Sequence, residues 1–338
     1  MAPKFTGGVS HRPTNVVSVY AVETTDLRKS YGDIKALDGL NLQMPQGSVL
    51  GVLGPNGAGK TTAVKVLTTL TLPDGGQAFV DGIDVVAEPD KVRARIGLTG
   101  QYAAVEERLT GRENLEYIAR LFHMPKREAK GRAAGLLERF DLVEAADRVA
   151  IGYSGGMKRR LDIAMSLIAR PSVLFLDEPT TGLDPRSRQA MWTLIEELVA
   201  EGTTTFLTTQ YLDEAEALAD SIIVIDHGKV IASGTADELK DQIGGDRLVI
   251  TLAPGTDRGL AAEAMAAIAS AAIDSVTTAD TLLVPIRTGG GAVPQAVRAL
   301  DDAGCDIANI ELRRPSLDDV FLALTGHAAE NYEEKPSA

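Results

Sequence analysis

The chain has 338 residues, 44% of them apolar and 24% charged, which allows one large domain and a small one. Its formal net charge of −13, with no long Lys/Arg block, argues against a nucleic-acid partner, because phosphate backbones are bound by clustered cations. A single cysteine, Cys305, excludes an internal disulfide or a cysteine-cluster metal site; the four histidines are scattered without ligand spacing, and the lone thiol suits a reducing cytoplasm.

Residues 1–17 lack periodicity, contain Pro3, Gly7, Gly8 and Pro13, and are expected to form a flexible tail. They also lack the apolar core of a signal peptide. Val22, Leu27, Ile34, Leu37, Leu40 and Leu42 recur across 18–45 and predict short antiparallel strands around the turn Tyr31-Gly32-Asp33. The apolar run 48–53 then enters Gly54-Pro55-Asn56-Gly57-Ala58-Gly59-Lys60-Thr61, and a helix-compatible stretch covers 60–70. Strand, loop and helix are the setting that this phosphate-binding pattern, G-x-x-x-x-G-K-[ST], requires. Gly54, Gly57 and Gly59 let successive N–H groups point at an anion, and the helix adds the positive end of its dipole. Lys60 can reach the β and γ phosphates while the Thr61 hydroxyl sits on Mg²⁺, so the loop predicts a nucleoside triphosphate site.

Residues 76–86 read as a further strand and turn around Asp81-Gly82, and 108–169 as helical. Thr110 and Glu113 have capping-box spacing before Leu115, Ile118, Leu121 and Phe122. A second helix is expected over about 126–140 and a third from Ser154. Val173–Leu176 reads as a fully buried strand of a parallel sheet. A helix near 187–201, a strand at 203–208, a helix at 212–219 and strands at 221–226 and 229–232 follow. This alternation predicts a sheet wrapped by helices, with a helical insertion. Gly244-Gly245 marks a boundary, beyond which strands near 247–252 and 281–286 and helices near 258–270 and 292–303 suggest a small α/β module, with a ferredoxin-like arrangement as one option. The Ala-rich segment 261–273 carries Glu263 and is shorter than the ~18 apolar residues of a membrane span, so a soluble chain is expected. Ser316-Leu317-Asp318-Asp319 begins a last helix, and an acidic, loose tail is expected over 327–338.

Two further segments have chemical meaning. Asp177 and Glu178 end the apolar strand; the first is placed to hold Mg²⁺ through water and the second to polarise an attacking water. Ser154-Gly155-Gly156 opens a helix and offers free N–H groups as a second anion seat, although Ser154 is equally well read as an ordinary cap.

Taken together, these pieces resemble the ATP-binding subunits of ABC transporters. The signature segment is Tyr153-Ser154-Gly155-Gly156-Met157, the strand-end acids lie in Leu174–Thr180, and Gly182-Leu183-Asp184-Pro185 matches the D-loop. Gln101 matches the Q-loop glutamine, and Tyr31 the aromatic that stacks on adenine. The resemblance spans about 20–240. Tyr153 and Met157 depart from the usual Leu and Gln, and Gln210 stands where the family's switch histidine is expected. Glutamine can hydrogen-bond a γ-phosphate or water but cannot become cationic. These departures, with Gln101–Val105, Leu109–Asn114 and Pro315–Phe321, resemble the daunorubicin/doxorubicin-resistance exporter subgroup.

The resemblance implies an α/β fold: a P-loop NTPase (RecA-like) parallel-sheet core with an antiparallel β subdomain, a helical subdomain over about 102–169 and a C-terminal α/β module. Its expected domains are 18–244 and 245–326. It implies a homodimer clamping ATP and Mg²⁺, with Gly54–Thr62, including Thr62, around the phosphates and Ser154, Gly155 and Gly156 contacting the γ-phosphate in trans. Thr61, Asp177 and Gln101 would surround the metal, Glu178 would act on water with Gln101 and Gln210 beside it, and Asp184 would communicate across the interface. The implied setting is the cytoplasmic face of a membrane, beside an integral permease exporting drugs or hydrophobic metabolites. A lipid or polysaccharide exporter, or a nucleotide-dependent regulatory protein, are the alternatives.

Overall fold

Five consecutive residues, Val173 to Asp177, are buried, and their alternation divides the core of the molecule. Val173 and Phe175 face one apolar cluster while Leu174 and Leu176 face another, as the two-residue period of a strand dictates. The computed structural model describes residues 20–101, 103–242, 246–270, 273, 280–286 and 291–325. The expected tails at 1–17 and 327–338, Tyr102 and the boundary at Gly244-Gly245 lie outside these residues.

Strands β1 (Tyr20–Tyr31) and β2 (Ile34–Pro45) form a hairpin of twelve-residue strands rather than short ones, because several register shifts let long strands bend without ending. Next come β3 (Val49–Leu53), α1 (Lys60–Leu67), β4 (Gly75–Val80), β5 (Ile83–Asp84), α2 (Pro89–Arg93) and β6 (Ile96–Thr99). The first helix stops at Leu67, short of 70, since Thr69 already has a left-handed φ of 64°. The helical insertion holds α3 (Gly111–Leu121), α4 (Lys126–Arg139) and α5 (Gly155–Ser166). Thr110 and Glu113 close a reciprocal capping box on α3, and Ser154 caps α5.

The core resumes with β7 (Val173–Asp177), α6 (Pro185–Ala200), β8 (Thr204–Thr209), α7 (Leu212–Leu218), β9 (Ser221–Asp226) and β10 (Lys229–Gly234). Its six-stranded sheet has the order β10-β9-β3-β8-β7-β6, parallel throughout except for the β9–β10 hairpin at one edge. A second sheet, β2-β1-β4-β5, covers one face together with α1; helices α3 to α6 cover the other. This is a P-loop NTPase α/β fold.

A short helix α8 (Ala236–Gln242) leads to β11 (Arg247–Leu252), α9 (Arg258–Met265), β12 (Thr281–Pro285), α10 (Ala292–Asp302), β13 (Ile307–Arg313) and α11 (Leu317–Thr325). Among the described residues this module is a three-stranded antiparallel sheet, β12-β11-β13, whose third strand has no counterpart in the sequence reading. Helix α11 leaves it: Leu317, Val320 and Phe321 join Leu53, Leu212, Ala215, Ile222 and Leu239 in one buried cluster. No helix among the described residues is long and apolar enough to cross a membrane.

Candidate nucleotide site

Strands β3, β8, β7 and β6 are neighbours and parallel, so the segments leaving their carboxyl ends meet along one edge. Those segments are the phosphate loop, Gln210, the Asp177-Glu178 pair and Gln101. Such an edge is where open α/β sheets bind ligands. Residues more than a hundred positions apart in sequence are thereby brought together.

The phosphate loop is shaped by close backbone approaches. Gly59 has φ 113°, and a Cβ there would lie 2.4 Å from the Ala36 carbonyl; at Gly54 it would lie 2.3 Å from the Ile225 carbonyl. Lys60, buried at the start of α1, donates to the carbonyls of Gly54 at 2.7 Å and Pro55 at 3.2 Å, which curls the loop around its own lysine. The same ammonium is 3.4 Å from Glu178 Oε1. Thr61 Oγ1 donates to Asp177 Oδ1 at 3.3 Å. Hydroxyl and carboxylate oxygens are the donor set that suits a hard cation such as Mg²⁺, which takes one or two protein ligands and completes its shell with water and phosphate.

Glu178 is held in an uncommon conformation. Its φ is 49°, a left-handed value that costs a residue with a Cβ about 1–2 kcal/mol. Its N–H donates to Thr208 Oγ1 at 3.1 Å and to the Thr208 carbonyl at 3.0 Å. Arg159 donates to its carbonyl at 2.9 Å. Thr181 Oγ1 donates to its Oε2 at 3.3 Å. The carboxylate therefore turns back from the strand end toward Lys60.

Other expected site residues take distinct places. Gln101 is exposed just beyond β6, and Gln210 stands just beyond β8 with its Oε1 buried and lacking a hydrogen-bond partner among the described residues. Tyr31 is half exposed at the tip of the β1–β2 hairpin, with Lys29 Nζ 5.6 Å from its ring centroid. Ser154 Oγ accepts the Met157 N–H at 3.2 Å, and a Cβ on Gly156 would lie 3.0 Å from Ser187 Oγ, so the signature segment packs on the start of α6. Asp184 caps that helix through Ser187, whose hydroxyl and N–H hold its carboxyl below the ordinary carboxylate range. Tyr153 is buried and donates to the Ala145 carbonyl at 2.6 Å, packed so closely on Gly111 that a Cβ there would lie 2.2 Å from its hydroxyl oxygen. That hydrogen bond accounts for an aromatic where Leu is usual.

Two contributors are absent from the sequence reading. Thr208 donates to Asp177 Oδ1 at 2.5 Å while accepting from Glu178, and nothing in the sequence singles it out among the four threonines on β8. Arg159 is buried beside the same acids and pairs with Asp162 at 3.5 Å. Burial lowers the Arg159 guanidinium and raises the Asp162 carboxyl to about 6. Glu214, wholly buried, accepts from Trp192 Nε1 at 3.1 Å and is also pushed up by burial.

The ABC transporter family pattern matches residues 37–181, and that of the DrrA1-3-like ATP-binding protein C-terminal domain matches 234–325. The daunorubicin resistance ATP-binding protein DrrA2 of Streptomyces coeruleorubidus is 53% identical over 319 residues, 94% of this chain and 99% of its own length. The daunorubicin/doxorubicin resistance ATP-binding protein DrrA of Streptomyces peucetius is 48% identical over 96% of this chain and 98% of its own. A solved ATP-binding cassette, dimeric in a post-hydrolysis state with ADP and Pi, is 28% identical, with a TM-score of 0.58 over 63% of this chain and 98% of that one. With its edge of phosphate loop, strand-end acids and signature helix, the chain belongs to the ABC transporter ATP-binding proteins.

Proposed function

We propose that this chain is the ATP-hydrolysing engine of an exporter for drugs or hydrophobic secondary metabolites, working as a homodimer beneath a separate integral membrane permease. Both Streptomyces relatives are named for daunorubicin resistance, and they align with nearly the whole chain. The observation that carries the reading is the cluster Lys60–Glu178 and Thr61–Asp177, at 3.4 and 3.3 Å, at the mouth of the phosphate loop.

ATP lies with its adenine on Tyr31 and its phosphates along the N–H groups of 54–62, where loop dipoles and the start of α1 neutralise charge. Lys60 exchanges loop carbonyls for β and γ oxygens. Thr61 and Asp177, with Gln101 nearby, would hold Mg²⁺, which when bound supplies charge neutralisation of the phosphates. Glu178 accepts a proton from water as the water oxygen attacks the γ-phosphorus; the bond from that phosphorus to the bridging oxygen breaks, leaving ADP and phosphate. Gln210, whose amide oxygen has no hydrogen-bond partner among the described residues, orients that water without titrating. Ser154, Gly155 and Gly156 of the second copy complete the cage, and Asp184 lies near the joint. Hydrolysis divides the shared charge and lets the copies part. The domains are an ATP-binding domain to about 244 and a small module from about 245 to 326; the permease contacts the surface near Gln101–Glu107 at the cytoplasmic face.

Glu178→Gln tests the reading. It is expected to leave ATP binding intact, lower phosphate release by about a hundredfold or more, and accumulate an ATP-bound dimer in sedimentation. Phosphate release equal to wild type would remove Glu178 from this role. The regulatory alternative, which rests on Gln210, predicts ATP-driven dimerisation without steady turnover even beside the permease.

A further inference from the structure

Arg159 takes no part in the cycle above, yet it is among the most heavily committed side chains in the molecule. It lies on α5, the helix that Ser154 caps, and is 6% exposed. Its Nε donates to the Pro179 carbonyl at 2.7 Å, and its Nη2 to those of Glu178 and Asp177 at 2.9 and 3.2 Å. Its Nη1 donates to the Gly100 carbonyl at 2.6 Å. Asp162, one turn along α5, faces the guanidinium at 3.5 Å and accepts the Ala104 N–H at 2.9 Å. The loop carrying Gln101 is thus held at both of its ends, and the peptide groups around Glu178 are held in series, by one ion pair.

We infer that Arg159, anchored by Asp162, is a positioning residue that locks Glu178 and the Gln101 loop to the signature helix. The inference rests on the reading of Glu178 as the group that acts on water. Glu178 needs such a lock because its φ of 49° is left-handed: Thr208 fixes its N–H and Arg159 fixes its carbonyl. A rigid guanidinium fork can address carbonyls in several directions, whereas a lysine ammonium is a point charge on a flexible stem. Because α5 also carries the residues offered to the second copy's nucleotide, a shift of that helix is transmitted to the acid and to the Gln101 loop as one movement.

The test uses the full chain with Arg159→Met, Arg159→Lys and, separately, Glu178→Gln. Hydrogen exchange by mass spectrometry reports segments 100–106 and 177–182, with 54–62 as reference. Arg159→Met is expected to speed exchange in the first two segments by about tenfold, leaving the reference within about twofold. Its kcat is expected to fall by about thirtyfold with the KM for ATP within about threefold, and Arg159→Lys to recover part of that loss. Should Arg159→Met not fold, Arg159→Lys decides, with a rise of about threefold in both segments. Unchanged exchange at 100–106 and 177–182 in every folded Arg159 variant overturns the inference. In the nucleotide-free chain Glu178→Gln is expected to leave exchange at 100–106 unaltered, so a fully active Glu178→Gln would sink the reading of the acid while the exchange data still judged Arg159.

Discussion

The Thr208 hydroxyl lies 2.5 Å from Asp177 Oδ1 and, through the same oxygen, accepts the Glu178 N–H at 3.1 Å. One side chain on β8 therefore sets both acids that end β7, a consequence of the register that pairs Asp177 with Thr208. Thr208→Val keeps the shape and removes the donor and acceptor. It is expected to cost about 1–3 kcal/mol of stability, the range for a buried polar group left unpaired. Phosphate release should fall by about tenfold or more, since the left-handed turn at Glu178 loses a tether. Thr208→Ser should restore most of both losses in urea unfolding and turnover assays.

Two glycines of the phosphate loop make different predictions. Gly57 has φ 82° with open space around an added Cβ, so Gly57→Ala should cost only the conformational strain, about 1 kcal/mol. Gly59 has φ 113° and a backbone carbonyl 2.4 Å from that position, so Gly59→Ala must displace the loop or the β2 backbone. A loss of about 3 kcal/mol or more is expected, large enough to be diagnostic. Equal denaturation midpoints for the two variants would contradict the close approach.

Gln210 carries no titratable proton, so the pH profile of turnover should lack an inflection from this position. Gln210→His should introduce one near pH 6.5, the ordinary range of an imidazole, while Gln210→Ala should lower kcat by about tenfold without changing the profile's shape. Superimposable profiles for wild type and Gln210→His would remove residue 210 from contact with the reacting groups.

Asp162 gives stability a pH dependence whose sign is fixed. Burial raises its carboxyl from the ordinary 3.8 to about 6. Between those values the folded chain holds a proton that the unfolded chain releases, so stability falls as pH rises through the window. Wild type should therefore lose about 2 kcal/mol relative to Asp162→Asn between pH 4.5 and 7, with the difference levelling off above 7. Urea midpoints across that range measure it, and a flat difference would show that the carboxyl titrates normally.

Local features were legible in the sequence and long-range ones were not. The phosphate loop announces itself because eight consecutive residues carry its geometry, and the Thr110–Glu113 cap because both partners lie within one turn. Thr208 was invisible because its role depends on which strand lies beside β7. Arg159 sits in a run of three cations, Lys158 to Arg160, and nothing in the run tells which is buried; the opposite charge three residues on at Asp162 was the available hint. Helix α8 had a readable signal, Thr235 and Glu238 at capping-box spacing, and their reciprocal hydrogen bonds are present at 2.8 and 3.2 Å. Strand β13 gave little, since most of its side chains are exposed and apolar alternation is weak. Tyr153 shows that a residue departing from a family pattern can serve packing.

The place of α11 bears on how the chain is made. Leu317, Val320 and Phe321 pack in one cluster with Leu53, Leu212 and Ile222, which belong to β3, α7 and β9. During synthesis those apolar side chains emerge long before their cover does. Until α11 leaves the ribosome the ATP-binding body keeps an oily seam facing water, and a chain cut before Leu317 would keep it there.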